Sequence, residues 1–493
     1  MTVRILLPLQ RSALPHIAES SRIPVEIPSA DLLDLPERVA QFGTGAFLRG
    51  FIEAYIDDAN RRGTFGGRVV AIASTVGGEG RHRELRGQDG LFTLVTRSAE
   101  GSTTPARVIA SLSRVIAATS EWDDVLALAR SPQLELVFSN TTEVGIGDSG
   151  DDSLDDRPPR TFAGKLTRFL LERAQTFDFD RARGLAVVPC ELIENNGDRL
   201  LEVVRITAHR WKVDSRFLIW LNEAVPFSNT LVDRIVPSLS DENDRRRIEV
   251  DLGYKDAGLT ICEPYRLFAI QADAKARYRL GFARGEPSII LCDDVTPYRR
   301  RKLRLLNGPH TIMAPLGLLA GNRTVTEAMS GPVGKLVRRA MRDEIAPHLE
   351  APDAAGYAED VLARFSNPSI RHELLDIMLQ ATTKMKVRIV PSILAYTAAE
   401  KTPPPVLTTG FAALLRCLRD IDAIAKRVGR AAPADDAAGR IRSAWAISTD
   451  TSEVARRVCS DGTLWGTDLD SVPGFTSLVA ELLMAVGEPV QPA

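Results

Sequence analysis

Cysteine is scarce in this chain. Five thiols in 493 residues stand at 190, 262, 292, 417 and 459, none close to another. No CxxC pair and no zinc-ligand spacing is present, which argues against a cysteine-held metal and a disulfide scaffold. An odd, sparse set reads as reduced, buried thiols of a cytoplasmic protein. Long apolar runs are missing too. Nothing approaches ~18 uninterrupted apolar residues, so no membrane-spanning helix is expected. Pro8, Gln10 and Arg11 break the N-terminal apolar patch too early for a signal segment. Net charge is nearly absent, since 62 Lys and Arg face 64 Asp and Glu and leave −2. That speaks against whole-surface attraction to nucleic acid and against a disordered acidic or basic effector. Only locally concentrated charge can carry meaning. No internal repeat is visible.

What is present divides the chain in three. Residues 1–36 carry five prolines and no convincing period, and read as an N-terminal arm. Residues 37–297 alternate strands and helices. Expected strands are Arg38–Phe42, Val69–Ala73, Leu134–Ser139, Leu185–Cys190 and Ser288–Cys292, each short and apolar on both faces. Helical patterns such as Ala46–Arg61 and Trp122–Ala129 lie between them. This alternation predicts a doubly wound α/β domain. Residues 298–493 change texture, with amphipathic helical patterns at 311–320, 324–345, 356–365, 369–380, 408–426 and 436–446. A mainly α-helical second domain is expected.

The stretch RVAQFGTGAFLRGF places Gly43 and Gly45 directly after an apolar strand and before an amphipathic helix. Glycine there lets the backbone turn tightly and approach a pyrophosphate with no Cβ in the way. The helix start then offers free N–H groups to the phosphates. Leu48 replaces the third glycine of the usual fingerprint, and an ordinary strand–helix turn would look the same. The second strand ends Ala73-Ser74-Thr75 without the acid that grips an adenosine ribose, and Arg81 and Arg83 follow. The residues leave NAD and NADP both open.

The segment RRRKLRLLNGPH carries Lys302, Asn307 and His310 at spacings of +5 and +8. On a regular helix they fall at about 0°, 140° and 80°. Pro309 fits a first helical turn better than an interior, so a helix starting near Gly308 would leave Lys302 on the preceding segment. The trio suits carbonyl reduction. A lysine can protonate a developing alkoxide while an amide and an imidazole hold its oxygen. Arg299, Arg300, Arg301 and Arg304 surround the lysine, and in isolation the run could equally be a solvated basic turn.

Five segments appear in order: GTGAFLRGF, SNTTEVGI, PCELIENNGD, SNTLVDRI and KLRLLNGPH. Together they resemble the polyol-specific long-chain dehydrogenase family, also called the mannitol dehydrogenase family. The resemblance runs from about residue 36 to near the C-terminus. It implies a Rossmann-type domain, a helical domain, NAD(H) as coenzyme and catalysis without metal. By the same resemblance Lys302 is the general acid and base, Asn307 binds the oxyanion and His310 orients the substrate. Gly43, Gly45, Ala46 and Phe47 form the coenzyme turn. Thr142 and Glu143 lie near the coenzyme, and Val232 and Asp233 beside the nicotinamide. Two departures stand out. Where relatives in the family carry Cys-Asp-Asn, this chain has Cys190-Glu191-Leu192, so a second oxyanion asparagine must be replaced, with Asn195 or Asn196 as candidates. Arg299 also stands where mannitol dehydrogenases carry an acid.

The PCELI form resembles the tagaturonate branch of the family, which implies interconversion of D-tagaturonate and D-altronate. The rivals are fructuronate reduction, a neutral polyol 2-dehydrogenase and a catalytically silent coenzyme-binding regulator. A sugar acid needs a cation for its carboxylate. Candidates are Arg364, Lys384 and Arg388, with Lys386 beside them and His372 eight residues after Arg364. The absence of heptads or an exposed apolar helix predicts a monomer; the near-neutral charge and the missing long apolar runs predict a small-molecule substrate with no nucleic-acid or membrane partner.

Overall fold

The computed structural model describes residues 6–74, 79–97, 105–141, 143–147, 150–237, 239, 241–367 and 372–485. The chain separates into two compact units, residues 1–295 and 296–493. Among the described residues the first unit holds twelve strands. They are β1 (Val25–Glu26), β2 (Glu37–Phe42), β3 (Arg68–Ala73), β4 (Phe92–Thr96), β5 (Ala106–Ile109) and β6 (Leu112–Ala117). β7 (Leu136–Ser139), β8 (Ala186–Pro189), β9 (Thr230–Asp233), β10 (Thr260–Cys262), β11 (Leu267–Gln271) and β12 (Ile289–Cys292) follow.

Five of them form one sheet in the order β6-β3-β2-β7-β8, parallel throughout. The chain starts in the middle at β2, builds outward to β6, then returns to the other side of β2 with β7. That reversal is the switch point of a Rossmann-type fold, and ligands bind beyond the carboxyl ends of the strands there. The sheet is apolar on both faces because both are covered. Val39, Val69, Ala71 and Phe138 point into one core with Phe51, Ile52 and Tyr55 of the helix after β2. Ala40, Phe42, Val70 and Val137 point into the other, with Leu166, Phe169 and Leu170. Two smaller sheets complete the unit, in the orders β1-β5-β4-β10 and β12-β11-β9.

Four of the expected strands lie in the five-stranded sheet. The fifth, at 288–292, forms β12 of the three-stranded sheet instead. The sequence reading missed β1, β4, β5, β6, β9, β10 and β11. They are two to six residues long and gain their order from pairing with other strands. The proline-rich arm contributes β1, which pairs with β5, and Leu9, whose N–H donates to the Lys255 carbonyl at 2.8 Å.

The second unit has no strand longer than an isolated bridge among its described residues. Its central helix, Gly308–Leu319, packs against Pro405–Arg419, with Leu374–Ile377 and Ala381–Arg388 also touching it. Three expected helices need correction. The span 324–345 breaks at Gly331–Pro332 into Val325–Ser330 and Pro332–Arg339, followed by a wide turn at Ala340–Ile345. Proline at the first helical position starts a helix but cannot continue the preceding one. The span 408–426 divides at Asp420 into Pro405–Arg419 and Ile421–Arg427. Of 369–380, only Leu374–Ile377 is helical among the described residues, and 369–371 lie outside them. No helix among the described residues is long and apolar enough to cross a membrane.

Candidate active site

In the first unit the glycine turn follows β2 at the switch point. Gly43 has φ of 125°, a conformation that side chains rarely adopt. A Cβ there would also come within 3.0 Å of Leu48 Cδ1. Leu48, standing where a third glycine was expected, is buried and fills the space beneath the turn. A Cβ on Gly45 would meet nothing within 4 Å, so the backbone faces open space where a phosphate group could approach. Gly45 caps the helix that begins at Ala46, and Phe47 stacks on Phe51 at 5.0 Å. The close packing usually supplied by the third glycine falls at Gly50, whose added Cβ would meet Val236 at 3.0 Å.

Buried polar groups hold this turn from below. Arg49 donates to the Thr44 carbonyl at 2.7 Å and to Thr260 Oγ1 at 3.0 Å. Gln41 Nε2 donates to the Gly43 carbonyl at 3.0 Å and to Glu53 Oε1 at 2.7 Å. Burial pushes the Glu53 carboxyl up to about 7, against the opposing pull of Gln41 and Arg49. Val232 and Asp233 are both buried in β9. Arg234 next to them donates to the Gly50 carbonyl at 2.6 Å, tying that strand end to the coenzyme-turn helix.

Thr142 lies outside the described residues, and of Glu143 only the backbone, in a short 3₁₀ turn, is described. Thr75 also lies outside them. A residue that sequence reasoning missed organises this region. Glu191 is buried and accepts hydrogen bonds from Thr141 N at 2.9 Å, Thr141 Oγ1 at 3.1 Å and Ser139 Oγ at 3.1 Å. It fastens the ends of β7 and β8 together. The signal was available, since an acid directly after an apolar strand has to be satisfied locally. Leu192 is 68% exposed. Asn196, offered as a replacement donor, is fully buried, and its Nδ2 is spent on Pro189 O, Glu191 O and Thr230 Oγ1. It braces β8 to β9. Asn195 is exposed and left-handed, with φ of 51°.

In the second unit Lys302, Asn307 and His310 share one unbroken helical path. It runs from Thr296–Lys302 through a π-type turn at Leu303–Asn307 into Gly308–Leu319. The expected start at Gly308 is therefore a change of pitch. Proline at 309 has no N–H to give and its ring crowds the carbonyl four residues back. The wider turn accommodates it, and Gly308 N bonds to the Leu303 carbonyl five residues earlier. This changes the angular arithmetic. An i→i+5 turn sets Lys302 and Asn307 one above the other, where a regular helix would hold them 140° apart, and His310 follows three residues on.

Around His310 the structure gathers three of the four residues expected to bind substrate, Arg364, His372 and Arg388, with Lys384 beside His372 and Arg388. The His310 ring lies 4.2 Å from that of Phe365 and 5.1 Å from that of His372. Burial holds the imidazole well below its ordinary range, and His372, Arg388 and Arg364 reinforce this with their charge. His310 is thus a neutral hydrogen-bonding group at physiological pH. Arg364 is buried at the end of the helix Ala354–Phe365. Lys384 donates to the Ile377 carbonyl at 2.9 Å, and burial followed by the Arg388 charge lowers its pKa. Lys386 donates to Thr463 O at 3.3 Å. Arg388 Nε is buried with no hydrogen-bond partner among the described residues. Two arginines of the basic run have structural duties. Arg301 donates to Pro352 O and sits 4.5 Å above the Tyr357 ring, and Arg304 donates to Val387 O at 2.8 Å.

Comparison with known proteins gives the two units a shared identity. The Mannitol dehydrogenase Rossmann domain matches residues 37–280, and the Mannitol dehydrogenase C-terminal domain matches residues 294–486. The chain is 39% identical over 460 residues to an altronate oxidoreductase of Bacillus subtilis (strain 168), covering 92% of this chain and 93% of that one. It is 37% identical to an altronate oxidoreductase of Cronobacter sakazakii, covering 92% and 94%. Among solved structures it resembles a Pseudomonas fluorescens mannitol 2-dehydrogenase in ternary complex with NAD and D-mannitol. The TM-score there is 0.69, with 23% identity and 97% of each chain covered. A substrate-free D-sorbitol dehydrogenase matches with a TM-score of 0.79, 20% identity, and 97% and 98% coverage. With both of its domains matched in order, the chain belongs to the mannitol dehydrogenase family.

Proposed function

We propose that this protein is an oxidoreductase that interconverts D-tagaturonate and D-altronate with NAD(H). The observation that carries the reading is the placement of Arg364 and Arg388 around His310, on whose helix Lys302 and Asn307 also stand. A carbonyl-polarising row with guanidinium groups at its border suits a substrate that carries both a ketone and a carboxylate. The kinship with altronate oxidoreductases supports the same substrate class.

The glycine turn fits a dinucleotide, because Gly45 leaves its backbone open and Gly43 adopts the required conformation. When bound, the nicotinamide supplies or accepts a hydride at the substrate's reacting carbon. Lys302 gives its proton to the developing alkoxide in reduction and takes it back in oxidation. Asn307 and the uncharged His310 donate hydrogen bonds to the same oxygen. Being neutral, His310 orients and polarises, and leaves the proton transfer to Lys302. Arg388, whose Nε lacks a partner, takes the carboxylate together with Arg364.

The test is a panel of tagaturonate, fructuronate and fructose, each with NADH and NADPH. The expected result is tagaturonate reduced fastest, with NADH. Preferential reduction of fructose would overturn the carboxylate reading, and preference for NADPH would overturn the coenzyme.

A further inference from the structure

The helix that carries Lys302 has a second face. Arg300 and Arg304 lie one turn apart, with Lys302 about 200° around the axis from Arg300. Both arginines line a cavity of about 490 Å³ that includes none of Lys302, Asn307 and His310. Much of the remaining wall is apolar, with Ile345, Leu349 and Ala395 among its residues. Three other charged or titratable groups, Glu344, His348 and Glu350, line the cavity with them. Glu344 is buried and committed, accepting from Val406 N and Leu407 N at 2.8 Å each, at the start of the helix Pro405–Arg419. His348 Nε2 lies 3.6 Å from Glu400 Oε1, and its ring stands 4.8 Å from that of Tyr396. Glu350 is exposed. Among the described residues, neither Arg300, Arg304 nor Glu350 forms an ion pair.

Two unpaired guanidinium groups beside an apolar hollow are costly neighbours. Arg304 is pushed down to about 10, first by burial and then by the Arg300 charge. A ligand anion set between them would relieve the repulsion and form charge-assisted hydrogen bonds. An apolar body attached to that anion would cover Leu349 and Ala395.

We propose that this cavity binds a small organic anion with an apolar body, at a site separate from that of the substrate. Arg300 and Arg304 hold the anionic group. Arg304 also donates to the carbonyl of Val387, next to Arg388. The new site and the substrate cluster are thus joined through one side chain.

The experiment is calorimetric titration of the full chain with benzoate, with acetate as the charge-only control. Benzoate is expected to bind more tightly than acetate. Arg300→Ala, an exposed residue with no ion pair to lose, should weaken benzoate binding by about tenfold or more. Ala395→Trp, which fills the hollow, should weaken it independently, with thermal melting to verify folding. Lys384→Ala should leave it within about twofold. No benzoate binding, or binding untouched by both cavity variants, would overturn the proposal. Loss with Lys384→Ala alone would place the anion on the substrate cluster and overturn it equally.

Discussion

The two units use one backbone device in opposite ways. In each, a helix that begins at a functional segment widens into a π-type turn, at Arg49–Glu53 in the first and at Leu303–Asn307 in the second. All five residues of the first turn are buried, and its polar members, Arg49 and Glu53, anchor the glycine turn from within. In the second turn only Leu305 and Leu306 are buried. There the wider pitch brings Lys302 and Asn307 into one row. Such turns concentrate at functional positions because the inserted residue re-aims side chains that a regular helix would disperse. One unit spends the device on holding backbone, the other on presenting side chains.

If that division of labour is right, substitutions on the two helices should separate cleanly. The largest effect belongs to Lys302→Ala. Turnover should fall by ~10²–10⁴-fold, the share of general acid catalysis, while coenzyme affinity measured by fluorescence titration stays near that of the parent. Near-normal turnover would remove Lys302 from its role. Gly45→Val should do the reverse. Its Cβ meets nothing within 4 Å, so the melting temperature should hold, yet coenzyme dissociation should rise by at least about tenfold. Equal coenzyme affinity in that variant would break the assignment of the glycine turn.

A smaller effect distinguishes the buried turn by its titration. The folded value of Glu53, about 7, lies above its ordinary 4.5. The native state therefore keeps a proton that the unfolded chain has released. Stability from this group is complete below about pH 4.5 and is lost as pH rises through about 7. Glu53→Gln cannot titrate, so its stability relative to the parent should improve by ~1–3 kcal/mol between about pH 5 and pH 8. Denaturant melts at the two pH values would read this. A difference that stays flat would mean that Glu53 is ionised throughout.

The two units also differed in how much their sequences disclosed. The glycine turn and the central strands were legible because a covered parallel strand is apolar on both faces and is followed by a diagnostic loop. β4, β9 and β10 were not, since short strands depend on partners far away. In the second unit the residue types were visible and their geometry was not. Lys302, Asn307 and His310 could be chosen from the sequence, but a regular period separated the first two. Only the pitch change at Pro309 aligns them. Arg364, His372, Lys384 and Arg388 were chosen as partners for a substrate carboxylate, and His310 proves to be the residue that Arg364, His372 and Arg388 face, with Lys384 beside the last two. Glu191 and Asn196 went unread as braces because their partners, Thr141 and Thr230, lie 50 and 34 residues away.

The central claim is that the helical unit recognises a substrate carboxylate through Arg388. Its most direct test is the ratio of kcat/KM for tagaturonate to that for fructose, which has no carboxylate, in the parent and in Arg388→Ala. The account predicts a strong preference for tagaturonate in the parent that collapses by ~10–100-fold in the variant, the worth of one hydrogen-bonded ion pair. An unchanged ratio would contradict it.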